Sequence, residues 1–148
     1  MENKGYILML ESDEQDRELS KNYFDTHSIS FKFLNLSNEV LPFLKEKERA
    51  NTLPALIILS MNSFPDNGLE VLTKVKAIDT LKHIPIIILG ENTQHDLIKD
   101  CYAKGASTFI NKPFTTQLTD ISIRSFIHYW FEVAQLPSQQ FVHSTVKV

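Results

Sequence analysis

The stretch that most constrains the fold is Leu53–Leu72, LPALIILSMNSFPDNGLEVL. Its apolar run, Ala55 to Leu59, stops abruptly at Ser60. A loop with Asn62, Pro65, Asp66, Asn67 and Gly68 follows, and then a helical pattern begins. An unbroken run rich in Ile and Leu reads as a strand buried on both faces. Open parallel sheets place their working residues beyond the carboxyl ends of such strands. Ser60 therefore stands at a functional address.

The rest of the chain repeats this rhythm. Strands are predicted at Tyr6–Leu10, Ser30–Leu36, Pro85–Leu89 and Ser107–Ile110. The second alternates, with Phe31, Phe33 and Asn35 on one face, as a strand near a sheet edge does. Ser12 or Asp13 is expected to cap the first helix, which runs to about His27 with Leu19, Tyr23 and Phe24 at helical spacing. Ser37 is expected to cap the second, with Val40, Leu41 and Leu44 on its apolar side and Pro42 tolerated in the first turn. Leu69, Leu72, Val75 and Ile78 mark the third. Asn92 or Thr93 is expected to cap the fourth, and Gly105 to end it. A fifth helix spans about Thr116 to Ala134 and stops before Pro137. Strict alternation with short connections implies an α/β fold, a parallel sheet with helices on both faces. Residues 1–137 read as one domain and 138–148 as a loosely held tail.

Charge and composition narrow the function. The formal net charge of −3 over 148 residues gives no general attraction to nucleic acid or an anionic membrane. The single cysteine, Cys101, cannot form an internal disulfide, which fits a reducing compartment. No run approaches the roughly 18 apolar residues of a membrane span, and the amino terminus does not read as a signal peptide. A cytoplasmic protein is expected. The five histidines show no metal-ligand spacing.

Four motifs in order resemble the receiver domains of two-component response regulators. They are ILML followed by acidic residues, LIILSMN followed by Pro and GLEVL, HIPIIIL, and AKGASTFINKPF. The resemblance implies a flavodoxin-like (βα)5 doubly wound sheet of order 2-1-3-4-5. It also implies an acceptor aspartate phosphorylated by a partner histidine kinase, with Mg²⁺ held by the acceptor, one carboxylate of an acid pair, a backbone carbonyl and water.

Several of the implied positions are altered here. The acceptor position is Ser60, and the acid pair falls on Glu11 and Ser12, with Asp13 next. The carbonyl position is Asn62. The switch positions are Gly90, which has no hydroxyl, and Phe109. The lysine is kept as Lys112, followed by Pro113, and the resemblance implies a cis bond between them. A serine hydroxyl is a weak nucleophile without an adjacent base, and it removes an anionic ligand that Mg²⁺ would use. The chain thus resembles a degenerate receiver. No cofactor is expected beyond a weak Mg²⁺ site at Glu11 and Asp13, and the favoured reading of these two is a helix cap and a solvated loop. Lys112 reads either as an anion contact or as a structural partner of Glu11.

The expected function is a stand-alone signalling module, not an enzyme, acting by protein–protein contact in a phosphorelay without ordinary phosphorylation. Its partner would be a histidine kinase, another signalling protein or a second copy. The candidate surface is the fourth helix, fifth strand and fifth helix, with Cys101, Tyr102, Phe126, Tyr129 and Trp130. A competing expectation is that the tail, through Phe141 and Val142, covers the outer face of the last helix. One alternative function keeps weak acceptance of phosphate at Ser60, Asp66 or Asp13 with Mg²⁺. Another, a flavin or nucleotide enzyme, is disfavoured by the absence of a Gly-rich loop after the first strand.

Overall fold

The computed structural model describes residues 5–91, 94–112 and 121–137, apart from 123 and 127. Five strands, β1 (Ile7–Leu10), β2 (Phe31–Leu34), β3 (Leu56–Ser60), β4 (Ile86–Gly90) and β5 (Thr108–Asn111), form one parallel sheet in the order β2-β1-β3-β4-β5. This is the flavodoxin-like order. The helices are α1 (Glu14–Thr26), α2 (Val40–Arg49), α3 (Gly68–Lys76) and α4 (His95–Ala103). Helical backbone is described at 121–122 and 124–126, and a π turn at His128–Val133.

Every side chain of the three central strands is buried except Leu89, which is partly so, and this explains their continuous Ile and Leu runs. Leu8, Leu10, Ile57, Leu59, Ile86 and Ile88 face α2, α3 and α4. Ile7, Met9, Leu56, Ile58 and Ile87 face the other way, onto Phe24 of α1 and onto Phe126 and Phe131. β2 is an edge strand, and its Phe31 and Phe33 pack as an aromatic cluster with Phe24.

Local chemistry sets the helix ends. Asp13 caps α1, its Oδ1 accepting the Gln15 N–H at 2.9 Å. Of the residues expected on the apolar side of α1, only Phe24 is buried, and Leu19 is 42% exposed. Asn67 and Glu70 form a capping box at the start of α3. Gly105, at φ +111, follows α4 in the left-handed region that glycine adopts without cost.

Two expected caps are corrected. Ser37 does not cap α2; it opens a 3₁₀ turn (Ser37–Glu39), and its hydroxyl accepts the Asp66 N–H at 2.7 Å. The residue ahead of α4 is Gln94, which makes no side-chain cap, while Asn92 and Thr93 lie outside the described residues. Also outside them are Pro113, and with it the Lys112–Pro113 bond, the start of the expected fifth helix, and Phe141 and Val142 of the tail. Among the described residues no helix is long and apolar enough to cross a membrane.

Candidate functional site

The carboxyl ends of β1, β3, β4 and β5 converge on one cluster. β1 runs into Glu11, whose N–H still donates to the Leu34 carbonyl, so the residue is held at the strand end with its side chain buried. Ser60 is the last residue of β3 and is also fully buried. Lys112 follows β5, anchored by its own N–H to the Gly90 carbonyl at 2.7 Å.

The Lys112 ammonium lies at the centre. Nζ donates to Asp16 Oδ2 at 2.8 Å, to Glu11 Oε1 at 3.0 Å and to the Ser60 hydroxyl at 3.1 Å. The second Glu11 oxygen accepts the Asp13 N–H at 3.2 Å. Arg17 donates to the Glu11 carbonyl, tying the first turn of α1 to the end of β1. Burial pushes the Lys112 pKa down, but the hydrogen bond it donates to Asp16 and the charge of Glu11 outweigh it, and the net shift is upward. Beneath the cluster a cavity of about 110 Å³ is walled mainly by apolar side chains such as Met9, Ile58 and Phe126. Such low-polarity surroundings strengthen the ion pairs above them.

The remaining expected positions take different places. Ser12 turns away from the cluster; its hydroxyl donates to the Asn35 carbonyl at 2.6 Å and accepts the Phe64 N–H at 3.3 Å. It therefore joins the exit loops of β1, β2 and β3. The Asp13 carboxylate is engaged in capping α1. Asn62 stands beside Ser60, its side-chain oxygen 3.5 Å from the hydroxyl. Gly90 ends β4 and is paired in register with Asn111. Phe109 packs against the core on the α4 side, and its N–H donates to the Tyr102 hydroxyl at 3.0 Å.

Asp16 is the residue that sequence reasoning missed. Its one signal is its place in the first turn of α1, three residues after the cap. Acidic residues are common there for a different reason, the helix dipole.

The residues present do not fit a bound Mg²⁺. The Lys112 ammonium stands between Glu11 and Asp16, Asp13 is engaged as a cap, and Ser60 is neutral. Among the described residues no group of three or more His, Cys, Asp or Glu side chains could hold a metal.

The candidate partner surface needs correction at two residues. Cys101 is fully buried in the core beneath α4, where desolvation raises its thiol pKa, and it cannot contact a partner. Phe126 is 8% exposed and packs onto the sheet, edge-on to Phe131. Tyr102 and Tyr129 are each about half exposed, and Trp130 lies edge-on to Tyr129 while packing against the core.

Comparison with known proteins agrees with this architecture. The two-component response regulator ARR17 of Arabidopsis thaliana is 26% identical over 128 residues, covering 82% of this chain and 82% of that protein. The crystal structure of the phosphorylated cyanobacterial phytochrome response regulator RcpA matches with a TM-score of 0.83 at 25% identity, covering 91% of this chain and 99% of that one. The Mn²⁺-bound form of response regulator Rcp1 matches with a TM-score of 0.81 at 25% identity, covering 90% and 99%. The response regulator receiver domain model matches residues 7–123. This chain belongs to the response regulator receiver domain family.

Proposed function

We propose that this receiver domain signals by protein–protein contact and is not phosphorylated in the usual way. The observation that supports this most strongly is the state of Ser60. Its hydroxyl is fully buried and accepts a hydrogen bond from a protonated lysine. A serine nucleophile needs a neighbouring base to take its proton. The groups that touch it are an ammonium and an amide oxygen, and neither is a base. At the switch position Gly90 offers no hydroxyl to a phosphoryl group, and Ser12, in the acid pair, is committed to loop backbone.

The domain is thus a signalling module with no chemistry of its own. Its partner is a histidine kinase, another signalling protein or a second copy. The contact surface is formed by α4, β5 and the last helical segment, where Tyr102, Ile121, Tyr129 and Val133 are exposed. Exposed apolar groups favour contact over solvent.

Incubation with acetyl phosphate and Mg²⁺, followed by intact-mass analysis, tests the reading. No adduct is expected. A stoichiometric gain of about 80 Da, the mass of one phosphoryl group, would overturn it. Peptide mapping of such an adduct would show whether Ser60, Asp13 or Asp66 had accepted it.

A further inference from the structure

An ammonium has three N–H groups, and those of Lys112 have three oxygens to receive them. The acceptors belong to Glu11 at the end of β1, Asp16 in α1 and Ser60 at the end of β3, and the lysine itself follows β5. Glu11 is 2% exposed at its side chain and Lys112 13%. Asp16 closes the cluster at its rim, 34% exposed, so the Glu11–Lys112 pair is buried and hydrogen-bonded while the outer carboxylate meets solvent. Glu11 and Asp16 carry two negative charges, and Lys112 cancels one of them.

We propose that the Lys112 ammonium is the resident cation of this pocket, standing where a divalent ion would need to bind and holding four elements of the carboxyl edge together without metal. Mg²⁺ needs oxygen ligands at about 2.0–2.1 Å. An ion reaching for Glu11 and Asp16 would use the same oxygens that hold Nζ at 3.0 and 2.8 Å. The two positive centres would crowd together, with one net negative charge left to offset the ion. Ser60, being neutral, adds none. Removing the lysine charge leaves two carboxylates facing one space, which is the balance a divalent ion requires.

The inference goes beyond the phosphorylation-independent reading and stands or falls separately. It is tested by titrating Mn²⁺ into the full chain and following the free-ion signal by electron paramagnetic resonance, with thermal unfolding in parallel. The wild-type protein is expected to bind no Mn²⁺ saturably at millimolar concentrations. Lys112→Met and Lys112→Gln are each expected to gain binding about tenfold tighter or better and a metal-dependent rise in Tm, and adding Asp16→Asn should abolish both gains. Saturable binding by the wild type would overturn the inference whether or not either variant folds. So would a folded Lys112→Met or Lys112→Gln protein that gains no binding. Neither result would bear on the acetyl phosphate experiment, which reads covalent mass.

Discussion

A Cβ atom added to Gly68 would lie 2.9 Å from the Ser60 carbonyl oxygen. The start of α3 is pressed onto the end of β3, and only a residue without a side chain permits that approach. Backbone cannot yield as a flexible side-chain tip can, so Gly68→Ala must shift either α3 or the end of β3. A loss of about 1–3 kcal/mol in urea unfolding is expected. Full stability in that variant would show that the strand end can move freely.

Lys112→Met removes the partner of a buried carboxylate. Stranding one member of a buried pair costs about 3–5 kcal/mol. The loss should be smaller when Glu11→Met accompanies it, because both charges then leave together. A double-mutant cycle by denaturant unfolding measures the coupling, and simple additivity would mean that the two groups do not depend on each other.

Ser12→Ala cuts both bonds of the hydroxyl that ties three exit loops together. A loss of about 1–2 kcal/mol is expected. The more specific readout is hydrogen exchange: the Phe64 amide, which donates to Ser12, should exchange faster, while amides in β3 should not. Unchanged protection at Phe64 would remove Ser12 from this role.

Alkaline pH should destabilise the domain. Burial pushes the Tyr6 phenol up to about 12, and its hydroxyl donates to the Thr52 carbonyl at 2.6 Å. A group with a raised folded pKa stabilises fully below its unfolded value, about 10 for tyrosine, and loses that contribution as pH climbs through the folded value. Lys112, also raised, acts in the same direction. Lys76 opposes them, since burial lowers it and stability is recovered as it deprotonates. Lys74 and the buried Cys101 thiol are raised as well, and the gain from Lys76 is complete by its ordinary value of about 10.5, so Tm should fall above about pH 10. Tyr6→Phe should be less stable at neutral pH and show a shallower alkaline decline.

Ser60→Asp alone should not restore phosphorylation. The new carboxylate would meet a lysine already held by Glu11 and Asp16, beside a Ser12 bound to the loops and a Gly90 without a hydroxyl. Intact mass after acetyl phosphate treatment should not rise by about 80 Da. Efficient labelling would mean that Ser12 and Gly90 are dispensable.

The sheet was legible in the sequence because its central strands are apolar at every position up to Ser60 and Gly90 at their carboxyl ends, a pattern that few other environments require. Lys112 and Glu11 could be paired on paper, since a buried lysine needs a nearby carboxylate. Asp16 could not, because a first-turn acid looks the same whether it faces solvent or a cluster. Ser37 was misread for a related reason: a hydroxyl before a helix ordinarily caps it, and only the tertiary fold brings Asp66 close enough to compete. The apolar face of α4 points to a buried, inert Cys101 thiol, and it is buried; Phe126 turns inward on an element that carries more apolar residues than one face needs, where sequence does not say which residues do so.

The π turn at His128–Val133 has one more consequence. The Ala134 N–H donates to the Tyr129 carbonyl five residues back, at 2.7 Å, which is the bond that defines such a turn. Phe126 and Phe131, also five apart, would fall on different sides of a regular α-helix, yet both reach the sheet. The segment is in effect an α-helix carrying one surplus residue, absorbed as a bulge so that two aromatic anchors stay in phase. Deleting Tyr129, whose ring is half exposed, would leave the anchors four apart and the helix regular. The spare residue shows on the outer surface and leaves the inner packing undisturbed.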